Sequence, residues 1–218
     1  MNKITERSLT ILLPTYTNAR HFLRILQGVS ESQYHSMFDA IWDLRGSPQE
    51  QVNWKDPDTW IPERLNVEQQ RLAKRIWDAS GRELNPRYLR PVRRFVKQHN
   101  LQKWPTVGAL QMTERGRRFV NEPEGQVVAE IDQHEGLLNL LRLLADVGPG
   151  KRGDFLPSFT SFCKMFTTSR GASSISRALG RRLANLVERD YLQRRYHVYE
   201  ITERGSQYLG RHTNLVIE

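Results

Sequence analysis

Stretches with helical periodicity alternate along the chain with short segments bounded by Gly, Pro and Asn. In ARHFLRILQ, behind Thr17-Asn18, the residues Phe22, Leu23, Ile25 and Leu26 make one apolar stripe. Ser30 with Gln33 is a capping box for a second helix to about Leu44, with Tyr34, Met37, Phe38, Ile41 and Trp42 inward and Gly46 placed to end it. From Ser47 to Leu65 there are three prolines, two tryptophans and no period, which predicts a long loop pinned by Trp54 and Trp60. A third helix spans Val67–Ala79. Asn85-Pro86 opens a short turn, and Pro91 starts a helix to Asn100. Leu101–Trp104 and Val107–Gln111 predict a small hairpin, followed by a helix from Thr113. NEPEGQVVAEIDQH, residues 121–134, is acidic and reads as a domain boundary. Beyond it come helices over GLLNLLRLLADVG, around Leu156–Phe166 and from about Ser173 to Glu188. A second hairpin, Tyr191–Arg194 with Val198–Ile201, precedes a last short helix from Thr202. The predicted class is mainly α with small β-hairpins.

The pattern aliphatic-Thr-Glu-Arg-Gly-x-x-aromatic-aliphatic occurs twice, at Met112–Val120 and at Ile201–Leu209, 89 residues apart. In each copy the aliphatic residue ends a strand and the threonine caps the following helix. Upstream of each lies the same order of helix, basic helix and hairpin, so duplication is the better reading. Helix, helix, basic helix, hairpin is the order of a winged helix, whose third helix enters the DNA major groove and whose wing lies against the backbone or minor groove. The expected architecture is tandem winged helices behind a helical N-terminal extension. The extension covers residues 1–65, the first winged helix 66–122, a linker 123–133 and the second winged helix 134–218.

Charge gives these elements a partner. The chain of 218 residues has 33 Lys+Arg against 24 Asp+Glu, a formal +9. The excess is gathered in two windows. Pro86–Arg118 has nine basic residues and one acid, and Lys164–Arg195 has eight and two. Such windows present surfaces to polyanions, with a merely solvated arginine-rich face as the competing reading. In the second copy Ile175, Leu179, Leu183 and Leu186 face the core, which turns Ser173, Ser174, Arg177 and Arg181 outward. Arg177 and Arg181 suit guanine edges or phosphates, and Ser169, Arg170, Ser173 and Ser174 at the helix start suit a phosphate oxygen. Arg194, Arg195 and His197 lie at the wing tip. The first copy offers Arg90, Arg93, Arg94, Lys97 and Lys103, with Arg117 and Arg118 as flanking phosphate contacts.

Other chemistries lack residues. The single cysteine, Cys163, sits among Phe159, Phe162 and Phe166 and reads as core, which leaves neither a disulfide framework nor a thiolate metal site. No apolar run reaches the roughly 18 residues of a membrane span, and a cytoplasmic setting is the simple reading. There is no Gly-rich phosphate loop. None of the seven lysines has an acidic residue two places before it, so a nuclease motif ending in (Asp/Glu)-x-Lys is absent.

Three runs, MFDAIWDLRGSPQEQVNWKDPDTWIPERL (37–65), GLLNLLRLLADVGPGKRGDFLPSF (136–159) and RRLANLVERDYLQRR…YEITERG (181–205), resemble the N-terminal region of Mrr-type restriction endonucleases. The resemblance spans nearly the whole chain, with Trp-Ile-Pro-Glu-Arg-Leu its most specific part. It implies a DNA-reading half that precedes a nuclease domain, with this chain ending about where that domain would begin. It implies no catalytic residue here, and no cofactor in this chain; a divalent metal such as Mg would belong to the missing nuclease domain. It also implies a preference for modified, typically methylated, DNA. A methyl group is read in the major groove by apolar contact, or the base is flipped into an aromatic pocket. Trp54, Trp60 and Trp104 are the pocket candidates.

The expected function is recognition of double-stranded DNA for a restriction endonuclease. The alternative is a winged-helix transcription regulator binding an operator as a homodimer, which an inverted-repeat site would favour. A scaffold that does not touch DNA is the third reading. If each winged helix neutralises about three phosphates, affinity falls as roughly the fifth power of salt concentration.

Overall fold

The computed structural model describes residues 8–44, 51–105, 108–169 and 171–215. They hold eleven α-helices and five short strands, mainly helical with two small antiparallel sheets. The chain divides into two compact units. One is residues 16–121; the other joins residues 8–15 to 122–215.

The unit of residues 16–121 runs α1 (Tyr16–Leu26), α2 (Glu31–Asp43), α3 (Pro57–Arg64), α4 (Val67–Ala79), a 3₁₀ turn (Pro86–Tyr88), α5 (Arg90–Gln98), β1 (Gln102–Lys103), β2 (Gln111–Met112) and α6 (Glu114–Asn121). The local sequence explains these boundaries. Ser30 and Asn66 cap α2 and α4 with complete capping boxes to Gln33 and Gln69. Pro57 and Pro91 sit in first turns, where a missing N–H costs nothing. The core gathers Tyr16, Phe22, Tyr34, Phe95 and Phe119, all buried, with Tyr16 ring centroids 5.6 Å from Phe95 and 5.2 Å from Phe119. Besides the β1–β2 pair, Gly28 N donates to Leu110 O (2.9 Å) and Leu110 N to Val29 O (2.8 Å), so the α1–α2 connection pairs with the strand before α6.

Residues 122–215 run α7 (Gln126–Glu135), α8 (Leu137–Val147), β3 (Gly150–Lys151), α9 (Arg152–Phe166), α10 (Ala172–Glu188), β4 (Leu192–Arg195), β5 (Val198–Ile201), α11 (Glu203–Arg211) and a final 3₁₀ turn (Thr213–Leu215). The sheet order is β3-β5-β4, antiparallel throughout. Leu138, Leu141, Phe155, Leu179, Leu183, Tyr191 and Tyr208 fill the core.

The duplication seen in the sequence is reproduced bond by bond. Thr113 N donates to Leu101 O and Thr202 N to Tyr191 O, each at 3.1 Å. Thr113 Oγ1 donates to Asn100 O and Thr202 Oγ1 to Asp190 O, each at 2.7 Å. The same hydroxyls cap their helices by accepting from Gly116 N (2.9 Å) and Gly205 N (3.0 Å). Asn100 and Asp190 both adopt positive φ, 53° and 60°. The repeated glycine now has a reason: a Cβ would stand 1.9 Å from Leu101 O at Gly116 and 2.2 Å from Tyr191 O at Gly205. Apart from α3, α4 and the 3₁₀ turn, which stand between α2 and α5, the elements α1, the Gly28–Ser30 connection, α2, α5, the β1–β2 hairpin and α6 follow the same order as α8, β3, α9, α10, the β4–β5 hairpin and α11.

Three expected boundaries differ from the structure. Residues 16–65 are no separate extension; α1 and α2 belong to the first copy, because Tyr16, Phe22 and Tyr34 are its core. The expected loop of residues 47–65 holds α3, started by Pro57 and anchored by buried Trp60 and Ile61; its first four residues and Gly46 lie outside the described residues. The expected linker of residues 123–133 is largely α7. Of its three acids, Asp132 is buried and paired. Asp132 receives Arg189 Nη1 and Nη2, both at 2.8 Å, and Tyr208 Oη at 2.6 Å. Glu135 Oε2 receives Arg182 Nη2 at 2.6 Å, and Arg182 Nε donates to Glu135 O at 2.5 Å. Thr10 closes this network, its N and Oγ1 donating to Glu135 at 3.1 and 2.8 Å, which ties residues 8–15 to this unit. Burial above all pushes the Tyr191 phenol, stacked on Tyr208 at 4.4 Å, up to about 12, and it raises Tyr208 as well.

Candidate nucleic-acid interface

Helix α10 is amphipathic as its spacing predicts. Ile175, Leu179, Leu183 and Leu186 are buried, while Ser173, Arg177 and Arg181 are exposed and Ser174 is half-buried. The helix begins one residue earlier than expected, with Gly171 rather than a serine at its N-cap. Ser169 is half-buried, its N–H donating to Thr167 Oγ1 at 3.1 Å. Arg170 lies outside the described residues.

Within this unit the outer face of α10, the β4–β5 hairpin and the start of α9 enclose a groove of about 850 Å³. Arg177, Arg181, Arg194 and His197 line it, as do two residues the sequence reading missed, Lys151 and Arg152. Gly180 lies beside Arg152, where a Cβ would stand 3.4 Å from Arg152 Nη1 in ordinary contact. A groove walled by five basic side chains, with Glu188 the one acid in its lining, focuses a positive potential on whatever enters it. Arg194 is held in place, its Nη2 donating to His197 Nδ1 at 2.9 Å and its guanidinium 5.5 Å from the Tyr199 ring centroid. The hairpin tip is the two-residue turn Tyr196-His197, with φ of 47° and 77°. That left-handed pair matches the twist of a hairpin but usually takes Asn or Gly. Tyr196 is 97% exposed at this strained tip, a position the charge pattern alone did not single out. Arg195 is exposed on β4 but does not line the groove, nor do Ser169, Ser173 and Ser174. The signal for Lys151 and Arg152 was the Lys-Arg pair after Gly148-Pro149-Gly150, which the helix pattern hid because α9 starts at Arg152 rather than near Leu156.

Two of the eight basic residues in the second window serve the fold instead. Arg182 and Arg189 are buried in the ion pairs to Glu135 and Asp132.

The first copy is built differently. Arg90, Arg94, Lys97, Lys103, Arg117 and Arg118 are exposed, but Arg93 is half-buried. Its guanidinium lies 5.3 Å from the Tyr34 ring centroid and 4.8 Å from that of Trp104, and Nη2 is 3.3 Å from His35 Nε2. Lys97 Nζ is 4.5 Å from the Trp104 centroid, and partial burial together with the Arg93 charge lowers its pKa. Arg117 pairs with Glu114 at 2.9 Å.

Of the three pocket tryptophans, Trp60 is 1% exposed and packs edge-on against Trp54 at 5.2 Å, so no ligand reaches it. Trp104 is covered by Phe22, Tyr34, Arg93 and Lys97. Trp54 is half-buried beneath Arg87 at 4.7 Å. Cys163 is buried, as its apolar neighbours implied. Among the described residues no three His, Cys, Asp or Glu side chains gather in a way that holds a metal ion, and no described helix is long and apolar enough to cross a membrane.

Comparison with protein-family models, with curated proteins and with solved structures finds no match to this chain.

Proposed function

We propose that this chain binds double-stranded DNA, with α10 as the helix that enters the major groove and the β4–β5 hairpin as the wing of a winged helix. The observation that carries the reading is the groove between them, where Arg177 and Arg181 on the helix face Arg194 and His197 on the hairpin. Its chain order supports the fold assignment: helix α8, strand β3, helices α9 and α10, then a hairpin whose second strand is central in the β3-β5-β4 sheet. An arginine on a helix suits bidentate contact with guanine O6 and N7, and arginines at a hairpin suit phosphates or a narrow minor groove. On the strength of the repeat we read residues 16–121 as a second winged helix, in which Arg90, Arg93 and Lys97 lie over aromatic rings.

The resemblance to Mrr-type endonucleases extends the proposal to the reading of modified DNA for restriction. One duplex sequence in unmodified, 5-methylcytosine and N6-methyladenine forms tests it by fluorescence anisotropy. The reading expects binding that weakens with salt and one modified duplex bound at least about tenfold more tightly, which corresponds to a single good base contact. Equal binding to all three removes the modification claim and moves weight to the operator-binding regulator.

A further inference from the structure

Helix α2 carries aromatic rings at every fourth position. Tyr34 and Phe38 stack at 5.9 Å with planes 15° apart, and Phe38 and Trp42 at 6.4 Å and 16°. The ladder runs from the core to solvent: Tyr34 is fully buried, Phe38 half-buried and Trp42 39% exposed. At its outer end two guanidinium groups flank Trp42, with Arg87 5.7 Å and Arg90 5.8 Å from the ring centroid. Between those arginines in the sequence stands Tyr88, 58% exposed on the 3₁₀ turn that packs against α2. Trp42 and two arginines therefore meet where α2 and the 86–90 segment join, with Tyr88 exposed on the same segment. Singly exposed aromatics need no explanation. Here Trp42 stands beside two cations, with Phe38 stacked behind it.

We propose that Trp42, Arg87, Tyr88 and Arg90 form a platform for the bases of single-stranded DNA. The inference rests on the DNA-binding reading and gives residues 16–121 a substrate state distinct from that of the α10 groove. Every base presents a π-face to an aromatic ring, and positive charge beside the rings neutralises the flanking phosphates. The guanidinium groups also repel a cationic ligand. Asp39 and Asp43, exposed on the adjoining part of α2, disfavour phosphate there, so the strand approaches from the Arg87–Arg90 side. No tryptophan lines the α10 groove.

The test uses the full chain with an oligonucleotide of about 12 nucleotides, the size range of single-strand sites, and with a duplex of the same sequence, read by anisotropy. Trp42→Ala is expected to weaken single-strand binding about tenfold and to leave duplex binding unchanged. Trp42→Phe restores most of the loss, and Tyr88→Ala weakens the single strand in the same selective way. Wild-type single-strand affinity in both alanine variants overturns the proposal, as does an equal loss for single strand and duplex. A chain that binds no duplex but holds the single strand in a Trp42-dependent manner sinks the groove reading and leaves the platform standing. Duplex binding that depends on Arg177, with a single strand indifferent to Trp42, does the reverse.

Discussion

Replacing Arg177 and Arg181 together by alanine is expected to lower affinity for duplex DNA by at least about thirtyfold, on the basis of about 1–3 kcal/mol for each good arginine–base contact. Both side chains are exposed on the outer face of α10 and line the groove. Their removal takes nothing from the core, where Ile175, Leu179, Leu183 and Leu186 hold the helix. Surface substitutions of this kind stay within about 0.5 kcal/mol in stability, so a thermal melt of the variant should overlay the wild type. Net charge alone is controlled by Arg142→Ala, an exposed arginine on α8 paired with Asp146 and absent from the groove lining. The account expects that control to bind duplex within about twofold of wild type, the remainder being general electrostatic attraction.

Stability should respond most to the buried ion pairs that Asp132 and Glu135 make near the end of α7. Asp132→Ala leaves the Arg189 guanidinium and the Tyr208 hydroxyl without their acceptor, and Glu135→Ala leaves Arg182 buried with only backbone carbonyls. Breaking such a pair by removing one partner costs about 3–5 kcal/mol, because the other charge stays out of water. A domain typically holds only about 5–15 kcal/mol in all. Urea unfolding followed by circular dichroism should show either variant losing roughly a third or more of its transition midpoint. Asp146→Ala, which breaks the exposed pair with Arg142, should change it by no more than about 1 kcal/mol. A Glu135→Ala chain as stable as wild type would mean that the charge network contributes nothing beyond its packing.

The helices were legible wherever an apolar stripe met a capping residue. Ser30 with Gln33, Asn66 with Gln69 and the twin threonines at 113 and 202 all fix boundaries close to those expected. What stayed hidden has one physical cause: sequence polarity does not say which way a charge points. Asp132 fell in the expected acidic linker and Glu135 just beyond it, while their partners, Arg189 and Arg182, lie some fifty residues further on and were counted in a basic surface. Arg93 was assigned to that same kind of surface but lies over Tyr34 and Trp104. Pro57 and Pro62 suggested a loop although the first opens a helix and Trp60 buries its side. In the candidate site, Arg177, Arg181, Arg194 and His197 followed from helical and hairpin periodicity. Lys151 and Arg152 did not, since only the sheet order β3-β5-β4 brings β3 and the start of α9 beside the hairpin.

The slope of log Kobs against log salt concentration for duplex DNA, measured for wild type and for the Arg177→Ala/Arg181→Ala variant, tests DNA binding through the α10 groove most directly. Each neutralised phosphate contributes about 0.9 to the slope, so three contacts in the groove give about −3 and engagement of both copies about −5. The account expects a wild-type slope at least as steep as about −3, made shallower by about 2 in the variant. A salt-independent affinity, or identical slopes for the two proteins, would contradict it and place any phosphate contacts elsewhere on the chain.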